Sequence, residues 1–255
     1  MVGGITRRRV ERSHGNGDLC LAPGQWYPRY ASRSGTNGLR IEGERVTTRS
    51  KKGVALVLAG GRSTRFGRDK ARERIWGKSA LERVVDAFMS FPRVYVVGGE
   101  GPLPKRAKAR LIDKDPGAGP LQAVISAFEQ LDDSNFFLCS CDVPMLSHGW
   151  VRHLVQGMHD EVDACVPRLD GWAQPMVAYY RKESLDHFRQ AWADGERSLQ
   201  HVLKSMDVQW VEAEEAVAAG LDPMQLVDFD TPEQLKQLVN TNTVSVRSGL
   251  KIETY

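Results

Sequence analysis

From Gly53 onward, short apolar runs alternate with stretches whose apolar residues recur at helical spacing, and this alternation confines the chain to few folds. Val54–Leu58 (VALVL), Val94–Val97 and Phe136–Cys139 are unbroken apolar runs of strand length, the pattern of strands buried on both faces. Between the first two, Ser79 opens a helix with Leu81, Val84, Val85 and Phe88 on one side, and Ser79 with Glu82 forms a capping-box pattern. A second helix follows Gly119-Pro120 and carries Leu121, Val124, Ile125 and Phe128 on one face. Pro120 suits its first turn, where a backbone N–H would have no intrahelical partner. Further helices are expected after Ser147 (Trp150, Val151, Leu154, Val155, Met158), from Ser198 (Leu199, Val202, Leu203, Met206) and from Thr231-Pro232-Glu233 (Leu235, Leu238, Val239). Strands are expected around Ala164–Val166 and Met176–Tyr180. Strands separated by helices of this length predict a Rossmann-like, three-layer α/β/α architecture with a mostly parallel sheet and right-handed crossovers.

The chain has 255 residues, 41% hydrophobic and 26% charged, enough to bury a sizeable core as one large domain or at most two. No apolar run approaches the roughly 20 residues of a membrane-spanning helix, and no signal-peptide pattern follows the basic start. Cys20, Cys139, Cys141 and Cys165 lack a disulfide-framework spacing, so reduced thiols and a cytoplasmic location are expected. The net charge of +3 hides an asymmetry. Residues 1–52 hold nine Arg and two Lys against four acids, a balance of +7, which leaves −4 on the rest. The body therefore carries no broad nucleic-acid footprint. Residues 1–52 show no sustained period and are expected to be disordered, as a cloning remnant or an over-extended start in preference to a targeting leader. Residues 53–239 form the expected folded domain, and 240–255 a polar, peripheral tail.

The chemistry concentrates at strand ends. LAGGRSTRFGRDKA, residues 58–71, packs three glycines, three arginines and a lysine directly behind the first strand. In open α/β sheets ligands gather at the carboxyl ends of strands. Gly60 and Gly61 let backbone N–H groups approach a phosphate chain, and Arg62, Arg65 and Lys70 can neutralise its charge. The segment is neither Walker A nor G-x-G-x-x-G, which argues against an NAD-type oxidoreductase. In FFLCSCDVP, residues 136–144, Asp142 ends a buried strand and reads either as a cation ligand or as an Asx-turn cap. Within LIDKDPGAGPL, residues 111–121, Asp113 either accepts hydrogen bonds from a nucleobase or is a solvated loop acid. In VDFDTPEQL, Asp228 and Asp230 alternate on an expected strand end, where both can project to one site. Asp230 also reads as a cap for the helix that follows. No zinc set and no Ser-His-Asp arrangement stands out.

Taken together, these segments resemble the molybdenum cofactor guanylyltransferase family within the nucleoside-triphosphate transferase superfamily. The resemblance is carried by LAGGRSTRFGRDKA at 58–71, DKDPGAGPL at 113–121, CDVP at 141–144, GWAQPMVAYY at 171–180, GERSLQHVL at 195–203 and DFDTPEQL at 228–235. It runs from about Gly53 to Val239. It implies a nucleotidyltransferase that moves GMP from Mg-GTP to the terminal phosphate of molybdenum-bearing molybdopterin and releases pyrophosphate. Leu58, Ala59, Gly60 and Gly61 would line the nucleotide, Lys70 would hold phosphates, and Asp113 would read guanine. Asp142 would hold Mg²⁺; apart from the resemblance, the position of Asp230 beside Asp228 makes it a second candidate ligand. Gln174, Pro175, Arg197 and Ser198 fall in segments that face the pterin in the family. Arg65, Lys70 and Asp142 are the expected catalytic set, acting by positioning and charge with no covalent enzyme intermediate. GTP and molybdopterin are the expected partners, together with molybdoenzymes or other cofactor-biosynthesis proteins, and neither nucleic acid nor membrane is expected. Phe66 stands where the family usually has Met, Val97-Gly98-Gly99 where an Asn-containing strand end is usual, and Asp228 and Asp230 where Asn is usual. Asp-x-Asp is more familiar in cytidylyltransferases. It keeps open a relative using CTP or a sugar phosphate, and a non-catalytic GTP-binding adaptor is the rival of another class.

Overall fold

The computed structural model describes residues 53–61, 66–131 and 135–247, and for 242–247 the backbone alone. The expectations placed on residues 1–52, on Arg62 and on Arg65 lie outside the described residues. The strands are β1 (Val54–Leu58), β2 (Arg74–Ile75), β3 (Lys78–Ser79), β4 (Val94–Val97), β5 (Ala109–Leu111), β6 (Asn135–Ser140), β7 (Ala164–Leu169), β8 (Trp172–Ala173), β9 (Val177–Arg181) and β10 (Val208–Glu212). The helices are α1 (Ala80–Ala87), α2 (Pro120–Phe128), α3 (His148–Gly157), α4 (Ser184–Ala193), α5 (Leu199–Val202), α6 (Ala213–Ala218) and α7 (Pro232–Arg247).

The main sheet runs β10-β7-β9-β6-β1-β4-β5, with β8 paired to β7; β2 and β3 form a separate hairpin. β1 is parallel to β4 and β6, β4 to β5, and β7 to β10, whereas β9 is antiparallel to both β6 and β7. The mostly parallel sheet is therefore as expected, with one reversed strand in its middle. Alternate residues of β1 serve opposite layers. Ala55 and Val57 join α1 and α3 residues such as Leu81, Val84, Trp150 and Leu154 in one core, and Val54, Leu56 and Leu58 join α2 and α4 residues such as Leu121, Val124 and Phe188 in the other. Burial of each such side chain contributes about 1.5–3 kcal/mol before entropy is counted. A third, smaller cluster of Phe66, Ile75, Met145, Phe229, Leu235 and Leu238 lies behind the loop that follows β1.

The caps form as the sequence pattern requires. Ser79 accepts from Glu82 N while Glu82 accepts from Ser79 N, and Ser147 caps α3. Three expectations need correction. The helix from Ser198 keeps its buried face (Leu199, Val202, Leu203, Met206) but is α-helical only over Leu199–Val202, then tightens to a 3₁₀ turn at Leu203–Ser205. Residues 227–230 are extended loop and not a strand, because no neighbouring strand pairs with them. The last helix runs on to Arg247, past the Asn240 at which the peripheral tail was expected to begin.

Candidate active site

Since β1 neighbours β4 on one side and β6 on the other, the chain leaves the sheet in opposite directions from β1 and β6. Their carboxyl ends form the crevice where open α/β sheets bind ligands. Leu58 and Ser140 are register partners, so Gly60 and Asp142, each two residues further on, emerge side by side. Main-chain bonds fix the exits: Cys141 N donates to Leu58 O at 3.0 Å and Ala59 N to Val97 O at 3.0 Å. Leu58 is buried and supports the loop by its carbonyl, whereas Ala59, Gly60 and Gly61 line a cavity of about 280 Å³. Gly61 has φ 134°, a conformation that favours glycine, and faces open space. Gly99 packs so closely that a Cβ there would stand 2.6 Å from Ala59 O; this seats the Gly98-Gly99 turn against the first loop.

Lys70 is the hub of that cavity. It opens a 3₁₀ turn, Lys70–Arg72, capped by the Asp69 carboxylate on Ala71 N. Its Nζ donates to Asp142 Oδ2 at 3.0 Å, to Asp230 Oδ1 at 2.8 Å and to Phe229 O at 3.2 Å. All three N–H groups of the ammonium are thereby engaged by protein oxygens. The side chains of Lys70 and Asp142 are only 15% and 17% exposed. Burial alone would favour loss of the lysine proton, but the charges and hydrogen bonds of Asp142 and Asp230 outweigh it and hold Lys70 above its usual value. Sequence reasoning assigned Lys70 to phosphate; its partners within the protein are the two carboxylates and the Phe229 carbonyl.

Phe229 anchors this arrangement. It is fully buried, donates its N–H to Asp142 O at 3.2 Å and meets Phe66 edge to face at 5.5 Å between ring centroids. Asp230 does not cap α7. Thr231 Oγ1 accepts from Gln234 N, and Gln234 Oε1 accepts from Thr231 N and Asp230 N, a reciprocal cap made without the Asp230 carboxylate, which accepts from Lys70. Asp228 opens to solvent from within a recess. Lost hydration there, then repulsion from Asp142 and Asp230, pushes its carboxyl up to about 6.

A second cavity, of about 470 Å³, meets the first at Ser140 and Asp142. Gln174, Pro175, Arg197 and Ser198 line it, together with Trp172, Leu199, Gln200, Leu226 and Asp228. Buried Tyr180 donates to Pro175 O at 2.8 Å, so the core of β9 fixes one wall. The other wall is a tight loop. Glu196 accepts from Arg197 N and Ser198 N at 2.7 Å each and lies 2.6 Å from the His201 ring, contacts that pull its carboxyl down to about 2. Arg197 stacks on Trp192 at 3.6 Å. Asp113 lies beside the Gly98 turn, where its Oδ1 accepts from Asp115 N at 3.2 Å, and it lines neither cavity.

The structure thus brings Ala59, Gly60, Gly61, Lys70, Asp142 and Asp230 together at one cavity and Gln174, Arg197 and Ser198 at the adjoining one. Sequence reasoning missed Phe229 and Trp172. The only available signals were a large apolar residue between the two acids and an exposed aromatic after a hairpin Asp-Gly. Among the described residues no helix is long and apolar enough to cross a membrane, and Cys139, Cys141 and Cys165 are free and buried.

A glycine loop after the first strand, a carboxylate after the adjacent parallel strand and two cavities meeting between them define a nucleotidyltransferase-type α/β protein. The MobA-like NTP transferase domain matches residues 55–211, and the chain belongs to that family. It is a nucleotidyltransferase. A relative from Chloroflexus aggregans, named "Probable molybdenum cofactor guanylyltransferase", is 32% identical over 191 residues, covering 71% of this chain and 90% of the relative. One of the same name from Bacillus cytotoxicus is 27% identical over 194 residues, with 73% and 96% coverage. In fold, the chain is similar to molybdopterin-guanine dinucleotide biosynthesis protein A from Archaeoglobus fulgidus, with TM-score 0.63 and 20% identity over 75% of this chain and 99% of that one. It is also similar to 2-C-methyl-D-erythritol 4-phosphate cytidylyltransferase from Thermus thermophilus, with TM-score 0.57, 15% identity and coverage of 74% and 98%.

Proposed function

We propose that the protein transfers GMP from Mg-GTP to the terminal phosphate of molybdenum-bearing molybdopterin, forming the guanine dinucleotide cofactor and pyrophosphate. The observation that carries this reading is the Lys70, Asp142 and Asp230 cluster at the seam of two cavities, one floored by the glycine loop and one walled by residues 172–176 and 197–200. The names of the relatives supply the substrates.

The transfer is an in-line displacement. An acceptor phosphate oxygen bonds to the α-phosphorus as the bond from that phosphorus to the bridging oxygen of pyrophosphate breaks. Both reactants are anions, so their mutual repulsion is the main barrier, and positioning with charge compensation lowers it. Backbone amides of Gly60 and Gly61 cradle the triphosphate. Lys70 exchanges carboxylate oxygens for phosphate oxygens as the substrate enters beside it, and Arg65 adds a second cation. Asp113, beside the Gly98 turn, reads the guanine edge. Gln174, Arg197 and Ser198 bound the acceptor side.

The donor set fits a hard divalent ion. Asp142, Asp230 and the Phe229 carbonyl already present three oxygens to one cation, within 2.8–3.2 Å of the ammonium. Mg²⁺ takes one or two carboxylates and completes its shell with phosphates and water, a demand that this donor set meets. Held by Asp142 and Asp230, Mg²⁺ would compensate the charge of the phosphate oxygens.

The test is pyrophosphate release on mixing protein, GTP, Mg²⁺ and molybdenum-bearing molybdopterin, with the dinucleotide product identified by mass spectrometry. Product from GTP and none from CTP is expected. Product from CTP alone would move the protein to the cytidylyl class, and GTP binding without product would make it an adaptor.

A further inference from the structure

Six large hydrophobic side chains are exposed among the described residues, and Trp172, at 63%, is the only one of them that lines either cavity. It sits on β8, the return arm of a short hairpin from β7 whose turn residues Asp170 and Gly171 both have positive φ (49° and 81°), as a type I′ turn requires. The backbone on either side is held on three counts. Gln174 N donates to Pro167 O at 2.8 Å, Gln174 Nε2 to Trp172 O at 3.3 Å, and Gln200 Nε2 to Ala173 O at 2.6 Å. Two of the polar residues lining this cavity therefore brace the hairpin with their amide groups. A rigid backbone presenting a large apolar ring to water gains nothing for folding from the ring, and a flat face at the mouth of a cavity suits a flat ligand.

We propose that Trp172 is the stacking face for the acceptor's ring, and thus a binding residue of the acceptor half of the site. Continuity with the reaction centre identifies the occupant. The acceptor's phosphate must reach the seam at Ser140 and Asp142, so the rest of the molecule extends into the second cavity, whose volume of about 470 Å³ falls within the usual range for small-molecule sites. Apolar walls from Pro175, Leu199 and Leu226 with Trp172 at the rim match a fused, conjugated heterocycle carrying a phosphate on a side arm. Stacking on an indole tolerates variation in ring substituents, so Trp172 sets how far the ring stands from Asp142 and leaves edge recognition to polar neighbours.

The inference rests on the proposed acceptor, and the experiment separates the two. Steady-state kinetics of wild type, W172A, W172L and W172F would be measured with both substrates, alongside quenching of the intrinsic fluorescence of 6-hydroxymethylpterin, a ring without phosphate. W172A and W172L should raise KM for the acceptor about tenfold, leave KM for GTP within about twofold and abolish the Trp172-dependent part of the quenching. W172F should recover most of the affinity, a rescue that a purely structural role for bulk at this position would also grant to W172L. Unchanged acceptor KM in W172L, with GMP transfer intact, would overturn the stacking role while sparing the proposed function. Trp172-dependent quenching in a wild-type protein that transfers no GMP would overturn the function and support the ring site. Because the ring is exposed, these variants should melt like wild type.

Discussion

A lysine that satisfies all its donors on two aspartates and a carbonyl behaves as an internal counter-ion. Lys70 compensates Asp142 and Asp230, and under the proposed function it does so until phosphates and a divalent ion arrive. Replacing it with Ala should lower turnover by about 10²–10³, the usual effect of deleting one preorganised charge donor. The same variant should melt lower in metal-free buffer and be rescued by Mg²⁺ or Mn²⁺ alone. Thermal melts with and without metal check this, and equal rescue of the wild type would contradict the counter-ion role. Glu196 gives a pH test. Its carboxylate is favoured in the fold by the N–H groups of Arg197 and Ser198 and by His201, so its pKa falls from 4.5 to about 2. A lowered carboxyl pKa contributes stability above about 4.5 that is lost as the pH falls towards 2. Glu196→Gln should therefore melt below wild type at pH 7, with the difference narrowing under pH 4.5, as a melting series would reveal.

At the scale of elements, the capping pair Thr231 and Gln234 deserves a test of its own, since it decides whether Asp230 serves the helix or the site. Thr231→Ala should cost about 1 kcal/mol in urea unfolding. Much of this level was legible beforehand. VALVL, the Ser79–Glu82 box and the Pro120 start are local patterns, and local patterns report local structure. What remained hidden was non-local. The antiparallel insertion of β9 between β6 and β7 depends on pairings across the chain, and the extended 227–230 segment had strand-like alternation without a neighbour to pair with. The carboxylate partners of Lys70 lie 72 and 160 residues away in sequence. Trp172 lies within the GWAQPMVAYY segment, and only the fold leaves its ring uncovered beside a cavity. Motif spacing pointed to the residues of the glycine-loop cavity, and packing was needed to show the cavity that adjoins it.

At the scale of the whole molecule, a sheet between two helical layers offers one crevice where β1 and β6 part, and both cavities open from it. The central claim is that a triphosphate lies over the glycine loop with its charge offset by amides, Lys70 and a carboxylate-held divalent ion. Calorimetric titration of GTP with saturating Mg²⁺ into wild type and Asp142→Asn tests it most directly. A saturable heat in wild type that weakens sharply in the variant is the predicted result, and no heat from any nucleoside triphosphate in either protein would contradict it.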